Sequence, residues 1–194
     1  AIINKPSNLL SVPGKTTKDS VALRMRNKFP NSTGPIIVHR LDRSTSGLMI
    51  IAKSLEAYHS LQNQFAKHTI KKTYVAILDG VVDSDSCVID LPLRVDIENR
   101  PSQLVCFEHG KNAVTHWQVM ERSNNQTRII FQPITGRTHQ LRVHAAHSLG
   151  LNIPILGDDL YGNPKSRLHL HAKSLSFSHP ITKKEIYFKV LADF

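Results

Sequence analysis

Arg40-Leu41-Asp42-Arg43-Ser44-Thr45-Ser46-Gly47 places one carboxylate between two arginines and follows it with three hydroxyl residues and a glycine. Leu48-Met49-Ile50-Ile51-Ala52 comes next, a short continuous apolar run of the kind that fills a buried strand. Ile36 to Val38, upstream, is β-rich as well. The octapeptide is therefore predicted to be a loop held between two strands, the rigid mounting on which reactive loops are carried. Gly47 permits close backbone approach, and Ser44, Thr45 and Ser46 can orient a carboxylate. Arg40 and Arg43 lie beside Asp42 in sequence and favour its ionised form, although an ordinary local ion pair would use the same residues.

Outward from this loop the patterns alternate between strand and helix. Ile2 and Ile3 read as a short strand broken by Asn4-Lys5-Pro6-Ser7-Asn8, and Pro13-Gly14 marks a turn. A weak helix capped by Asp19 or Ser20 follows, with Val21, Ala22 and Met25 inward and Pro30 at its end. Ser54 is a good N-cap for a stronger helix carrying Leu55, Tyr58, Leu61, Gln62 and Phe65 on one face. Thr73 to Leu78 reads as a strand, and the acidic stretch Asp79 to Asp90 as a turn leading to a strand into Leu91-Pro92-Leu93. Leu104 to Phe107, Ala113 to Met120 and Thr127 to Phe131 suggest an antiparallel meander. Gly136 to Gly150 holds a turn and a helix, Gly157 to Gly162 a loop, and Leu168 to Phe177 and Glu185 to Val190 two closing strands. The fold class is mixed α+β, with a largely antiparallel bent sheet, flanking helices and a central cleft.

The 194 residues carry 25 Lys and Arg against 15 Asp and Glu, a formal net charge of +10, and 40% of them are apolar. A chain of this length buries a core without staples, and its charge predicts a polyanionic partner. Cys87 and Cys106 lack metal-ligand spacing and are expected to be buried or half-buried thiols in a reducing compartment, with a disulfide between them still geometrically open. No apolar run approaches the roughly 20 residues needed to span a bilayer, and no basic leader precedes an apolar segment; no membrane contact and a cytoplasmic location are the expectation.

Gly136-Arg137-Thr138-His139-Gln140-Leu141-Arg142-Val143-His144 is the second cluster with chemical content. Its arginines can grip phosphates or carboxylates bidentately, or serve only as a soluble face. His139, His144 and His147 have no cysteine or nearby carboxylate to complete a ligand set, so no metal is expected. Tyr74, just after Lys71 and Lys72, is either a core tyrosine or a base-stacking platform flanked by phosphate contacts. His169 and His171 share a strand face by the period of two. Asp158 and Asp159 could supply a second carboxylate, but their turn-like context predicts solvent exposure.

His39 through Gly47, Lys71-Lys72-Thr73-Tyr74, Gly136 through His144, Pro154-Ile155-Leu156-Gly157-Asp158 and Leu170-His171-Ala172, in this order, resemble the RluA-type pseudouridine synthases. Ile3-Asn4-Lys5-Pro6-Ser7 and Ala192-Asp193-Phe194 are most similar to the dual-specificity branch of that family, which acts on large-subunit ribosomal RNA and on a transfer RNA anticodon stem-loop. The resemblance implies the pseudouridine synthase fold as a single catalytic domain over residues 1–194, or as two closely packed subdomains, without a separate N-terminal RNA-binding domain. It implies a uridine isomerase with Asp42 as the required aspartate, Tyr74 against the flipped base, and Arg142 as the basic residue that accompanies the aspartate. Arg137 is the second choice for that last role. Arg40 would fill the space of the extruded nucleotide, His39, Lys71 and Lys72 would bind RNA, and Leu168 or Leu170 would add an apolar wall. No cofactor, metal or obligate protein partner is expected; the partner is structured RNA. An RNA-processing hydrolase using Asp42 and histidines, and a non-catalytic RNA-binding module, are the competing readings.

Overall fold

In the computed structural model, which describes residues Ala1–Phe194, the elements run β1 (Ile2–Lys5), α1 (Val21–Lys28), β2 (Ser46–Ile50), α2 (Leu55–Ala66), β3 (Lys71–Leu78), β4 (Ser86–Asp90), β5 (Leu93–Val95), β6 (Gln103–Val105), β7 (Val114–Ser123), β8 (Gln126–Pro133), α3 (Gln140–Ala146), β9 (Leu170–Ser178) and β10 (Glu185–Lys189). The chain divides into two units, Ala1–Lys72 with Ala172–Asp193, and Thr73–His171 with Phe194. Strands β3 and β9 each begin in one unit and continue into the other.

In the first unit β2 is buried along its whole length and pairs antiparallel with β1, Ile2 opposite Ile50 and Lys5 opposite Gly47. Strand β9 lies on the other side of β2, and β10 pairs with β9. The approach of β9 explains Gly47: its φ is +113°, and a Cβ there would stand 2.4 Å from the carbonyl oxygen of Ala172. Ser54 caps α2 as expected, its Oγ accepting the Ala57 N–H at 3.2 Å. Leu61 from α2 then packs with Val38, Leu48, Ile50, Ala52, Ile70, Leu175 and Phe177. Ser20, not Asp19, caps α1. The predicted strand over Ile36–Val38 does not form. Ile37 makes a single bridge to Ile51, and the Ala52 N–H donates to the Ile36 carbonyl. With Pro35 on one side and the turn at Val38–His39 on the other, these residues cannot extend the ladder.

In the second unit β3, β8, β7 and β4 pair antiparallel in that spatial order, and β6, expected to join β7 and β8 in a meander, pairs instead with β5 as a separate two-stranded ribbon. Ala76, Leu78, Trp117, Ile129, Phe131, Leu141, Ala145 and Ile155 fill its core. Helix α3 stops at Ala146, short of the span to Gly150 that its apolar spacing suggests, and residues Gln140 through Ala145 are all buried. Cys87 is exposed on the edge strand β4 and Cys106 is half-buried, and both thiols are free. The expectation of a buried Cys87 fails because an edge strand covers neither of its faces fully. No helix is long and apolar enough to cross a membrane.

Candidate active site

The loop around Asp42 is secured from the N-terminal segment. Ser11 Oγ donates to the Leu41 carbonyl at 2.6 Å and accepts the Leu41 N–H at 3.1 Å. Ser7 Oγ donates to the Ser44 carbonyl at 2.7 Å. Lys5 is fully buried, and its ammonium donates to the carbonyls of Pro6, Leu9 and Arg43 at 2.9, 2.8 and 3.0 Å. Three donors meet three acceptors, which is how a buried ammonium is tolerated. Desolvation still pushes Lys5 down to about 8, against the pull of the Asp42 carboxylate, which raises it. The Asp42 carbonyl accepts the Thr45 N–H at 3.2 Å and closes the turn. The backbone is therefore held at positions 41, 42, 43 and 44, while Asp42 itself is half-buried.

Arg40 is exposed without an ion pair, and Arg43 turns away to the Asn8 carbonyl, its Nε at 3.4 Å. Adjacency in sequence therefore does not make these arginines ion-pair partners of Asp42. The charge of Asp42 is felt at Lys5, 37 positions upstream, whose ammonium is itself bonded to backbone carbonyls.

His39 is committed to the fold. Its Nε2 accepts the Ile50 N–H at 2.9 Å, so the proton sits on Nδ1, and its ring stacks on Phe65 with centroids 4.6 Å apart. Burial, and then the charge of Lys72, push it down to about 3, so the imidazole is neutral at physiological pH. Burial lowers Lys72 to about 8. Lys71 is exposed.

In the second unit Tyr74 is half-buried on β3, opposite Phe131 and packed against the core. Arg142 is 2% exposed on α3. Its Nε and Nη2 donate to both carboxylate oxygens of Asp158 at 2.8 and 2.6 Å, and Nη2 also reaches Asp159 at 2.8 Å. Asp158 Oδ1 accepts the backbone N–H groups of Leu160 and Tyr161 as well, at 3.0 Å each. Against the expectation of exposure, Asp158 is wholly buried and only Asp159 is open; the glycine-bounded turn folds inward because Arg142 supplies its partner.

Gln140 fastens the start of α3, its Oε1 accepting from Thr135 Oγ1 and the Arg137 N–H, its Nε2 donating to the Val114 carbonyl and to Thr115 Oγ1. Thr115 Oγ1 lies 3.0 Å from His144 Nδ1, and His144 Nε2 lies 3.2 Å from the Leu91 carbonyl. A carbonyl only accepts, so Nε2 carries the proton and Thr115 donates to Nδ1. Desolvation lowers His144 to about 4. Arg137 is exposed and anchored by its Nε to the Asn112 carbonyl at 2.9 Å. Leu168 and Leu170, expected as a substrate wall, are 2% and 3% exposed and belong to the core cluster. His169 lies against the Leu156 carbonyl and Phe194, and His171 against the same ring. No three His, Cys, Asp or Glu side chains gather as metal ligands.

Reading by residue type overlooked Lys5, Ser7, Ser11, Thr115, Gln140 and Tyr161. For Lys5 a signal existed, a lone lysine closing an apolar run just before a proline; for the hydroxyls there was none.

The mixed α+β scaffold with its antiparallel sheet is that of the pseudouridine synthase fold. The RNA pseudouridylate synthase family matches residues 1–147, and the chain belongs to that family. It is 46% identical over 201 aligned residues to the dual-specificity RNA pseudouridine synthase RluA of Yersinia pestis, covering 100% of this chain and 95% of the relative. The protein of the same description from Escherichia coli K12 is 44% identical, with 100% and 89% covered. Among solved structures, human RNA pseudouridylate synthase domain containing 1 superposes with a TM-score of 0.81 at 26% identity, covering 100% of this chain and 80% of that one. Human RNA pseudouridylate synthase domain containing 4 gives 0.77 at 26%, with 98% and 84% covered. The chain is thus a pseudouridine synthase acting on RNA.

Proposed function

We propose that this enzyme isomerises uridines in two kinds of structured RNA, a site in large-subunit ribosomal RNA and a site in a transfer RNA anticodon stem-loop, in the cytoplasm. The dual specificity is carried over from relatives that align along the whole chain. Asp42 is the essential carboxylate, and the observation that carries this assignment is the clamp of Lys5, Ser7 and Ser11 on the backbone at its loop. Such fixation suits a group that must meet one atom of a bound nucleotide.

In the reaction the bond from C1′ to N1 breaks, the uracil turns while retained, C5 bonds to C1′, and the C5 proton is replaced by one gained at N1. No atom is added or lost, so substrate and product have equal mass. Asp42 supplies the negative charge or nucleophile that the glycosidic step needs. Tyr74 contacts the base and Arg142 supplies positive charge. Entry of a stem-loop uridine requires flipping it from its stack, at a cost of a few kcal/mol. Exposed Arg40, Lys71 and Arg137, within a formal net charge of +10, offset that cost through phosphate contacts.

The test incubates the full chain with transfer RNA and ribosomal RNA transcripts and maps pseudouridine by carbodiimide-dependent reverse-transcription stops. Full-length RNA with new stops in both classes is expected, weakening with salt. Shortened RNA would mean hydrolysis, and bound but unmodified RNA would mean a binding module; either result contradicts the proposal.

A further inference from the structure

Tyr161 stands in the loop Gly157–Gly162, and its side chain reaches two other segments of the second unit, the start of α3 and β6. Its ring lies 5.3 Å from Arg142 Cζ, centroid to guanidinium, so the aromatic face covers the cation. Its hydroxyl is 2.8 Å from His139 Nδ1 and accepts the Gln103 N–H at 2.7 Å. Its own N–H is one of the two that hold Asp158 Oδ1.

Each tie does something the others do not. The Asp158 fork and the bond to Asp159 grip Arg142 at the edge of the guanidinium, where tilt out of the plane is resisted least. A ring against the guanidinium face opposes the tilt. His139 precedes α3 with φ +53°, a left-handed conformation that is uncommon for a residue with a side chain, and has no side-chain cap bond to the helix. The hydroxyl of Tyr161 supports that residue at the ring instead, and so holds the turn that leads into α3, the helix that carries Arg142. Through Gln103 the same oxygen anchors the ribbon of β5 and β6 to this assembly.

We propose that Tyr161 is a positioning residue for the isomerisation, setting the plane of the Arg142 guanidinium with its ring and the start of α3 with its hydroxyl. The inference rests on the reading that Arg142 serves the reaction. Tyr161→Phe keeps the ring and removes the hydroxyl ties; Tyr161→Leu removes both.

The experiment uses the full chain and whichever transcript, anticodon stem-loop or ribosomal, the wild-type enzyme modifies, labelled with tritium at uracil C5. Single-turnover tritium release, RNA affinity by filter binding and the melting temperature are measured for Tyr161→Phe, Tyr161→Leu, Arg142→Lys and the double variant Tyr161→Leu/Arg142→Lys. The expected result is a rate about tenfold lower for Phe and about 100-fold lower for Leu, the scale of loss seen when a reacting group is misplaced by about 1 Å, with RNA affinity changed less than about twofold. The double variant should be no slower than Arg142→Lys by more than about threefold, because residues acting as one unit are not additive.

Wild-type rates in Phe and Leu would overturn the proposal, as would a lower melting temperature with an unchanged rate per folded molecule, or losses that multiply in the double variant. If Leu does not fold, the rate of Phe decides. Failure of the underlying reading looks different: Arg142→Lys would then turn over at the wild-type rate whatever Tyr161 does.

Discussion

The Asp42 loop and the Arg142 helix are held by opposite strategies. At Asp42 the backbone is gripped, by two serines and a lysine that take the carbonyls of Leu41, Arg43 and Ser44. At Arg142 the side chain itself is gripped, by Asp158, Asp159 and the ring of Tyr161. The difference follows from the groups concerned. A short carboxylate has two side-chain torsions and is placed once its Cα is placed. A long guanidinium has four and must be fixed at its far end, where a planar fork gives two parallel bonds.

Substitutions that reach these ties can break or sharpen that comparison. Asp158→Ala leaves the buried Arg142 cation without its main partner and should cost about 3–5 kcal/mol in denaturant unfolding. Lys5→Met keeps the chain volume but orphans carbonyls that include the buried one of Leu9, and should cost about 2–3 kcal/mol. The single-turnover rate of the Lys5 variant should fall as well, since the loop is no longer set; an unchanged rate would mean that gripping the backbone does not place Asp42. Thr115→Val interrupts the relay from Gln140 to His144 and should cost about 1–2 kcal/mol with little effect on RNA affinity.

The smallest effect is on pH dependence. His39 and His144 have folded values of about 3 and about 4 against 6.5 for the free side chain. The unfolded chain therefore binds more protons as pH falls below 6.5, and stability drops from there toward pH 4. His39→Gln offers an amide oxygen to the Ile50 N–H and does not titrate, so its melting temperature should fall less steeply over the same range. Lys5 and Lys72, at about 8 against 10.5, work in the same direction in a higher window: the unfolded chain binds more protons between those values, and their contribution to stability rises with pH there.

How much of this was legible in the sequence depended on whether a signal was local. Ser54 as a cap, the apolar run of β2 from Leu48, the hairpin of β7 and β8 and the need for Gly47 all follow from neighbours a few residues apart. The segment at Ile36–Val38 misled because β-rich composition does not create a partner strand, and the tertiary pairing offered Ile37 only one bridge. Asp158 misled and Lys5 gave no warning for a related reason: each carries a charge that argues for solvent, and each is buried because partners come from elsewhere in the fold, Arg43 at 38 positions in one case and Arg142 at 16 in the other. Such pairings depend on the closed fold, which composition and spacing do not report.

The central claim is that Asp42 is the essential group of this isomerase, and Asp42→Asn tests it most directly because it keeps the shape and removes the charge. Single-turnover tritium release from a C5-labelled transcript that the wild type modifies should vanish, while filter-binding affinity for that RNA and the melting temperature stay near the wild-type values. Pseudouridine still forming at the wild-type rate in Asp42→Asn would contradict the account.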